Sequence, residues 1–347
     1  MVGKRIPLAS FRGCLLGALA GDCFGAAFEG TAMKTTIGEA QLLTDVARHV
    51  ELCSDHLLYT DDTAMLKSVG SSLVRNCGFN SHHMAWLFSD TYFSDRPRGY
   101  GANIASVFEA VRTAGADDQN RSKLVDPVQP ARNQFNGSGS YGNGGAMRVA
   151  PVSLYAAYDV DLALDLAQSQ CELTHTHPQA VIGSCLIAAA VWHALQASPH
   201  TLEQKIFPRL SGEVAEAQKD KFRQRLGCFK DLLANDSSRL KVAETLGTGI
   251  AAVDSTPAAV YSFVRCLDKV PEIKNKNPIE RSLIYAISLG GDTDTIGTMC
   301  GAIAGAYYGS HGNVIPKSWL SNLEGASDAV KLADGLYNQY ESLSSKH

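Results

Sequence analysis

Two series of glycines at four-residue intervals constrain the fold of this chain more than any other feature of its sequence. The first series is Gly13, Gly17, Gly21 and Gly25, and the second is Gly297, Gly301, Gly305 and Gly309. Residues four apart share one face of an α-helix, and glycine costs about 1 kcal/mol relative to alanine inside a helix. A cost that recurs at every turn implies a recurring benefit, and we expect that benefit to be the close approach of a neighbouring helix.

A glycine zipper between membrane helices is the competing interpretation of this spacing. Asp22 within the first series, and Asp292 and Asp294 just before the second, argue against it. The longest apolar run, residues 180–197, reaches the lower length limit for a membrane span. It contains polar side chains and has no basic flank, so we interpret it as a buried central helix.

Apolar residues at three- and four-residue spacing recur along the chain and predict an all-α fold. The predicted helices cover residues 10–28, 62–77, 101–114, 145–158, 160–173, 179–197, 242–267, 279–290 and 295–308. Hydrophobic residues make up 45% of the 347 residues, which is enough for a sizeable core. We expect a single domain over residues 1–347, with a peripheral helical insertion at about residues 198–238, where the composition becomes polar. Residues 115–134 and 271–278 are predicted loops.

Charge and cysteine content narrow the classes of function. The net charge is -4 and no basic stripe is present, so the sequence gives no indication of a groove for duplex DNA. The nine cysteines form no C-x-x-C pair, which fits reduced thiols in a reducing compartment. The N-terminal residues lack the apolar core of a secretory signal and make only a weak mitochondrial presequence.

Two acidic clusters stand before apolar helices, "TDDT" at residues 60–63 and "DTDT" at residues 292–295. Helix capping explains one such cluster, because Asp and Thr are good N-caps, but four aspartates exceed what capping needs. If both clusters face one site, a bound cation removes the repulsion between their carboxylates. Oxygen ligands alone favour Mg²⁺, Mn²⁺ or Ca²⁺ over zinc. We expect Asp292 and Asp294 to converge from an extended segment, with Thr295 beginning the helix, and Glu29 to act as a mobile acid beside them.

A glycine-rich loop, "QFNGSGSYGNGG" at residues 134–145, is the second candidate for a binding element. Its G-x-G-x-x-G pattern is not a dinucleotide fingerprint, because no strand precedes it and no βαβ unit follows. Its backbone N–H groups could cradle phosphate oxygens, and Phe135 and Tyr141 could stack a nucleobase. A flexible surface loop is an equally good interpretation. His175 and His177 in "LTHTHP" fit a polar contact to a ligand, or a helix entry, better than a metal site.

The motifs "FRGCLLGALAGDCFG", "YTDDTAM", "GSYGNGGAMR" and "SLGGDTDTIGTMCGAIAGAYYG" together resemble the ADP-ribosylglycohydrolases, in order and spacing, from residue 10 to about residue 310. The glycine-rich loop and "GGDTDT" are most similar to the branch that acts on serine-linked ADP-ribose and poly(ADP-ribose). The resemblance implies an all-α, orthogonally packed domain with two Mg²⁺ ions, for which Mn²⁺ can substitute.

The resemblance also implies roles for residues at matching positions. The implied metal ligands are Thr60, Asp61, Asp62, Asp292, Asp294, Thr295 and the flap residue Glu29. The implied substrate contacts are Asp61, Gly99, Phe135, Ser138, Gly139, Ser140, Tyr141, Gly142, Asn143, Gly144, His175 and Ile250. Glu29 and Asp292 are both candidates for the carboxylate that transfers protons, and the sequence does not decide between them.

The function expected from this resemblance is Mg²⁺-dependent hydrolysis of the bond at C1″ of ADP-ribose, with O-acetyl-ADP-ribose as a further substrate. The expected partners are ADP-ribosylated proteins and poly(ADP-ribose), in a monomer that acts after DNA damage in nucleus and cytoplasm, with the mitochondrial matrix as a further location. Arginine-linked ADP-ribose is the rival substrate, and a non-catalytic ADP-ribose-binding relative is the rival class. A haloacid-dehalogenase phosphatase is disfavoured because Ile296 breaks its motif and no parallel-sheet pattern is present.

Overall fold

The computed structural model describes residues 5–30, 38–54, 56–95, 97–114, 126–197, 213–309 and 315–344. Within these ranges the chain forms eighteen α-helices and two short 3₁₀ segments, and no β-strand. The expectation of an all-α fold is therefore confirmed. The single-domain boundary stays a prediction, and residues 198–212 of the expected insertion lie outside the described residues.

The helices have the following bounds in chain order: α1 Leu8–Gly25, α2 Glu39–Leu52, α3 Asp61–Asn76, α4 Ser81–Ser94, α5 Ile104–Thr113, α6 Gln129–Arg132, α7 Gly144–Met147, α8 Ala150–Tyr155, α9 Val160–Glu172, α10 Pro178–Leu195, α11 Glu213–Gly227, α12 Phe229–Ala234, α13 Arg239–Leu246, α14 Ala252–Arg265, α15 Pro278–Ile287, α16 Thr293–Tyr308, α17 Lys317–Asn322 and α18 Ala326–Ser344. The 3₁₀ segments are Ala26–Phe28 and Gln134–Gly137.

The close helix approach that the glycine spacing predicts is confirmed, and the structure shows that α1 and α16 are each other's partners and pack antiparallel through their glycines. A Cβ atom placed on Gly17 would lie 2.2 Å from the carbonyl oxygen of Gly301, and one on Gly21 would lie 2.0 Å from that of Gly297. Side chains larger than hydrogen would force the two backbones apart. We call the contact between residues 13–25 and 293–309 the glycine interface. It joins a helix near the N-terminus to one near the C-terminus, and Gly25 at one end of it lies against Asp294.

Helix α10 is buried along nearly its whole length and packs against α9, α14, α16 and α7. By length and composition, α10 and residues 8–28 could each cross a membrane. In the fold, 89% and 78% of these segments, respectively, are buried inside the protein. They are used here as core helices.

Three predicted elements are wrong in detail. The predicted helix 145–158 is divided into α7 and α8, and Pro151 occupies the first turn of α8, where its missing N–H is tolerated. The predicted helix 242–267 is interrupted after Leu246, where Gly247 adopts a φ of 81°. Residues 129–132, inside the predicted loop 115–134, form the short helix α6.

Candidate active site and metal centre

A cavity of about 460 Å³ opens where the N-termini of α3 and α16 come together. This volume is within the range of pockets that hold small-molecule ligands. Its walls are Glu29, the segment 99–104 and the loop 134–144. The predicted site residues that line it are Glu29, Asp61, Gly99, Phe135, Ser140, Tyr141, Gly142, Asn143, Gly144, His175, Ile250, Asp292, Asp294 and Thr295.

An acidic group forms the floor of the cavity. Carboxylate oxygens of Glu29, Asp292 and Asp294 all lie within 4.8 Å of one another. The convergence agrees with the sequence prediction, but the backbone reason given for it is wrong. Helix α16 begins at Thr293, so Asp294 and Thr295 belong to its first turn, and Asp292 is the residue before the helix.

Backbone and amide contacts hold this floor in place. Asn143 Nδ2 donates to Asp292 Oδ2 at 2.6 Å, and the Thr295 N–H donates to Asp294 Oδ1 at 2.8 Å. The Gly30 N–H donates to the Gly291 carbonyl oxygen at 2.9 Å, which ties the segment of Glu29 to the start of α16. Gly291 has a φ of 82°, and a Cβ there would lie 2.0 Å from the Thr248 carbonyl oxygen. Only glycine fits this turn.

Two predicted metal ligands lie outside the cavity lining. Asp62 is 1% exposed, and its two oxygens accept hydrogen bonds from the hydroxyls of Thr295 and Thr298, each at 3.3 Å. Thr60 is the N-cap of α3 and accepts the Asp62 N–H at 3.3 Å. Capping therefore accounts for the observed contact of Thr60, and Asp62 holds the Thr295 side chain by accepting its hydroxyl proton in a hydrogen bond. Their metal-binding roles stay predictions.

Asp22 is a structural acid that the sequence analysis did not place near the site. It is fully buried on α1, and its carboxylate accepts the backbone N–H groups of Thr60 and Thr63 at 3.0 Å. These are donors that the first turn of α3 leaves without helical partners. Asp22 thus fixes the start of α3 against α1. Its position within an apolar glycine helix was the available signal.

Burial and mutual repulsion make ionised carboxylates unfavourable on this floor when no cation is bound. Burial, reinforced by Asp292, raises the pKa of Asp294 to about 7, and burial raises the pKa of Asp22 to about 6. Burial also raises the pKa of Asp61 and of Asp62, and the charge of Asp294 raises the pKa of Glu29. A divalent cation offsets such repulsion, and the donor set on the floor is oxygen alone. The residues present therefore fit a hard divalent cation.

The glycine-rich loop forms the opposite wall. Phe135 and Asn136 both adopt left-handed backbone conformations, with φ values of 50° and 55°. Phe135 and Tyr141 are 46% and 50% exposed, and their ring centroids are 6.4 Å apart. Ser138 and Gly139 do not line the cavity; the Ser138 hydroxyl donates to the Phe135 carbonyl oxygen, and a Cβ on Gly139 would clash with Thr176.

The loop is anchored on the segment before α14. The Asn143 N–H donates to the Ile250 carbonyl oxygen at 3.0 Å, and the Ala252 N–H donates to the Tyr141 carbonyl oxygen at 3.1 Å. Ile250 is left 72% exposed at the cavity edge beside the two aromatic rings. The loop is thus an ordered part of the site.

Ten further residues that line the cavity were not predicted as site residues, among them Arg148 and Tyr100. Arg148 is 1% exposed, and its guanidinium lies over the ring of Phe88 at 4.2 Å. The Tyr100 hydroxyl is buried and has no hydrogen-bond partner among the described residues. His177, which does not line the cavity, accepts the Gln179 N–H through Nδ1 and so begins α10, in agreement with the helix-entry interpretation.

Comparison with known proteins supports the motif-based resemblance. The sequence model of the family described as ADP-ribosylglycohydrolase matches residues 4–345. The chain is 41% identical to mouse (Mus musculus) ADP-ribosylhydrolase ARH3, over 96% of this chain and 92% of that protein. It is 40% identical to the human (Homo sapiens) ARH3, over 98% of this chain and 96% of that protein.

A solved structure supports the fold. An ADP-ribosylglycohydrolase-related protein superimposes with a TM-score of 0.61 at 21% identity, covering 96% of this chain and 98% of that one. At this identity the match concerns the fold alone. The family match and the two close relatives extend over nearly the whole chain, and they confirm the resemblance predicted from the motifs. This chain belongs to the ADP-ribosylglycohydrolase family of hydrolases.

Proposed function

We propose that this chain hydrolyses the O-glycosidic bond at C1″ of ADP-ribose in a reaction that depends on two Mg²⁺ ions. In this proposal it removes mono-ADP-ribose from serine and degrades poly(ADP-ribose), with O-acetyl-ADP-ribose as a further substrate. The observation that carries the proposal is the convergence of Glu29, Asp292 and Asp294 within 4.8 Å at the floor of a cavity walled by the glycine-rich loop. The serine preference rests on the resemblance of this loop and on the similarity to the ARH3 proteins.

The cavity divides into two parts that match the two ends of ADP-ribose. Phe135, Tyr141 and Ile250 offer exposed apolar and aromatic surface for the adenine. Within this loop the N–H groups of Asn143 and Gly142 are taken up by Ile250 and by the Ser140 hydroxyl, which leaves those of Ser140, Tyr141 and Gly144 available for the pyrophosphate. In this proposed binding mode, the ribose that carries C1″ lies toward the acidic floor.

The acidic residues are proposed to hold the cations and to handle charge and protons. Asp61, Asp292, Asp294 and Thr295 face the cavity and would bind the ions, with Asp62 and Thr60 as the remaining ligands. When bound, divalent cations orient hydroxyl groups and polarise the oxygen atoms they contact. The carboxylates favour the positive charge that develops on the ribose during cleavage.

We propose Glu29 rather than Asp292 as the carboxylate that transfers protons. Asp292 is fixed by Asn143, whereas no hydrogen bond holds the Glu29 carboxylate among the described residues. Glu29 is exposed, it precedes Gly30 with a φ of 72°, and Asp294 raises its pKa. A carboxyl group with a raised pKa and freedom to move is suited to donate and accept a proton during one reaction cycle.

The test is release of ADP-ribose from serine-linked and arginine-linked peptides, with Mg²⁺ and with chelator. We expect serine-selective release that the chelator abolishes. Asp294→Asn should lose at least about a hundredfold in rate, while Asp165→Asn, an exposed acid on α9, should retain the wild-type rate. Arginine-selective release would refute the substrate proposal. Tight binding of ADP-ribose without turnover would refute the catalytic one.

We also propose that the protein acts on ADP-ribosylated proteins in the nucleus and cytoplasm, as a monomer, with the mitochondrial matrix as a further location. Imaging of the tagged full chain before and after DNA damage tests the location. Analytical ultracentrifugation tests the oligomeric state.

A further inference from the structure

Arg148 is a buried cation without an acidic partner. It forms no ion pair with any described carboxylate, and it donates instead to neutral oxygens. Nε donates to Gln170 Oε1 at 2.8 Å, and Nη2 donates to the Gln170 carbonyl oxygen at 2.9 Å and to Thr174 Oγ1 at 2.7 Å. Burial lowers the pKa of Arg148 to about 10, so the guanidinium remains charged at neutral pH and acts only as a donor.

This donor fixes the direction of the next hydrogen bond. Thr174 is 1% exposed, and its Oγ1 has two neighbours, Arg148 Nη2 and, at 2.7 Å, His175 Nδ1. A threonine hydroxyl has one proton to give. Because Arg148 cannot accept it, and no other acceptor for it is found among the described residues, the proton points to His175 Nδ1. Nδ1 is therefore an acceptor, and the ring proton is on Nε2.

The imidazole of His175 is part of the cavity wall. His175 lines it, and its ring packs under the glycine-rich loop, where a Cβ on Gly144 would come within 2.9 Å of Nε2. Within the described part of the chain, Nε2 has no hydrogen-bond partner. The titratable groups packed against His175 are Arg148 and Cys171, and burial raises the pKa of the Cys171 thiol to about 12, so that it stays neutral. Burial and the charge of Arg148 lower the pKa of His175 to about 3.

We propose that Arg148 and Thr174 are positioning residues that fix His175 as its neutral Nε2–H tautomer, so that the cavity presents a permanent hydrogen-bond donor to an acceptor oxygen of the ligand. The role of the donor rests on the proposed function, because the ligand is taken to be ADP-ribose. The chain of hydrogen bonds from Arg148 through Thr174 to His175 does not depend on the proposed function, because it follows from contacts within the protein. The ligand must then place an acceptor, such as a phosphate, ether or hydroxyl oxygen, against this ring.

The first test reads the tautomer directly in the ligand-free protein. Two-bond ¹H–¹⁵N correlation spectra of the ¹⁵N-histidine-labelled full chain distinguish protonated from unprotonated ring nitrogens, and His175→Gln identifies the signal. We expect one tautomer, protonated at Nε2, at neutral pH. In Thr174→Val we expect a mixture of the two neutral tautomers, and in Thr174→Ser the wild-type pattern. A wild-type signal from Nδ1–H or from the doubly protonated ring would overturn the proposal, whatever the variants do.

The second test measures the binding of ADP-ribose in the presence of Mg²⁺. Loss of the fixed tautomer should weaken binding by about fivefold in Thr174→Val and leave Thr174→Ser unchanged. Thr256→Val is the matched control, because Thr256 is equally buried but donates only to Ala252 of its own helix. Thr174→Val binding that equals the wild type would overturn the donor role. Wild-type protein that shows the Nε2–H tautomer but binds no ADP-ribose would instead refute the proposed function.

Discussion

The Gly301→Ala substitution tests whether the glycine interface holds the fold together. A Cβ at residue 301 would lie 2.0 Å from the carbonyl oxygen of Gly17 and 2.6 Å from its carbonyl carbon. Real Cβ atoms essentially never come closer than 3.0 Å to such an atom. The opposing atoms are backbone, so no rotamer change relieves the clash, and α1 and α16 must separate locally by about 1 Å (3.0 minus 2.0).

Two opposing effects set the size of the change in stability. Overpacking of a core contact costs about 1–3 kcal/mol, and a shift of backbone against backbone belongs at the upper end. Replacing a helical glycine by alanine returns about 1 kcal/mol. We therefore expect Gly301→Ala to lower the free energy of unfolding by about 2 kcal/mol, which corresponds to a melting temperature roughly 3 °C lower in a chain of this size.

Gly335→Ala is the matched control, because residue 335 is also inside a helix, α18. A Cβ there would lie 3.4 Å from the methyl groups of Val74, which is ordinary contact with a side chain that can adjust. This variant should be more stable than the wild type by about 0.5–1 kcal/mol, from helix propensity alone. Thermal and urea unfolding of both variants, followed by circular dichroism, provides the comparison. If both variants are stabilised equally, the close approach of α1 and α16 is not what the glycines provide.

Three other predictions concern the buried polar groups. With chelator present, the melting temperature should fall as the pH rises from about 4 to about 7. The folded-state pKa values, about 6 for Asp22 and about 7 for Asp294, exceed the unfolded value, so the folded state binds more protons in that window. Mg²⁺ should reverse the fall, and a melting temperature that rises with pH in the presence of chelator would contradict this explanation. Tyr100→Phe should stabilise the ligand-free protein by about 1 kcal/mol in thermal unfolding, because it removes a buried hydroxyl without a partner; a loss of stability would mean that the hydroxyl is satisfied. Asp22→Ala should cost about 1–3 kcal/mol in urea unfolding, because two buried N–H groups at the start of α3 lose their acceptor; unchanged stability would reject that role.

The sequence predicted those parts of the structure that depend on periodicity along one helix. The glycine spacing identified α1 and α16 as helices that approach a neighbour closely, and the Asp–Thr clusters identified the two helix starts that meet at the cavity. It also predicted the apolar helices α3, α9 and α10 to within a few residues. Each of these sequence patterns is local, because all of its residues lie in one helix or at the start of one helix.

The parts that were missed depend on contacts between distant segments. The apolar helix around Asp22 was a signal of burial, but the partners of Asp22 and Arg148 could not be identified from nearby sequence, because they come from residues 60–63 and 170–174. The amphipathic helices α2 and α18 were overlooked because their polar faces dilute the apolar pattern that identified the others. The start of α16 was placed two residues late because the Gly-Gly turn ends earlier than the acidic pattern indicated.

The glycine interface also has a consequence for how this protein is made. Gly21 and Gly297 are 276 positions apart (297 minus 21), so α1 leaves the ribosome long before its partner exists. At about 5–20 residues per second, the gap lasts roughly 14–55 s. During that time the bare backbone face of an apolar helix has nothing to pack against. Because Asp22 and Glu29 lie on one side of this late contact and Asp292 and Asp294 on the other, the acidic floor forms only when nearly all of the chain has been synthesised.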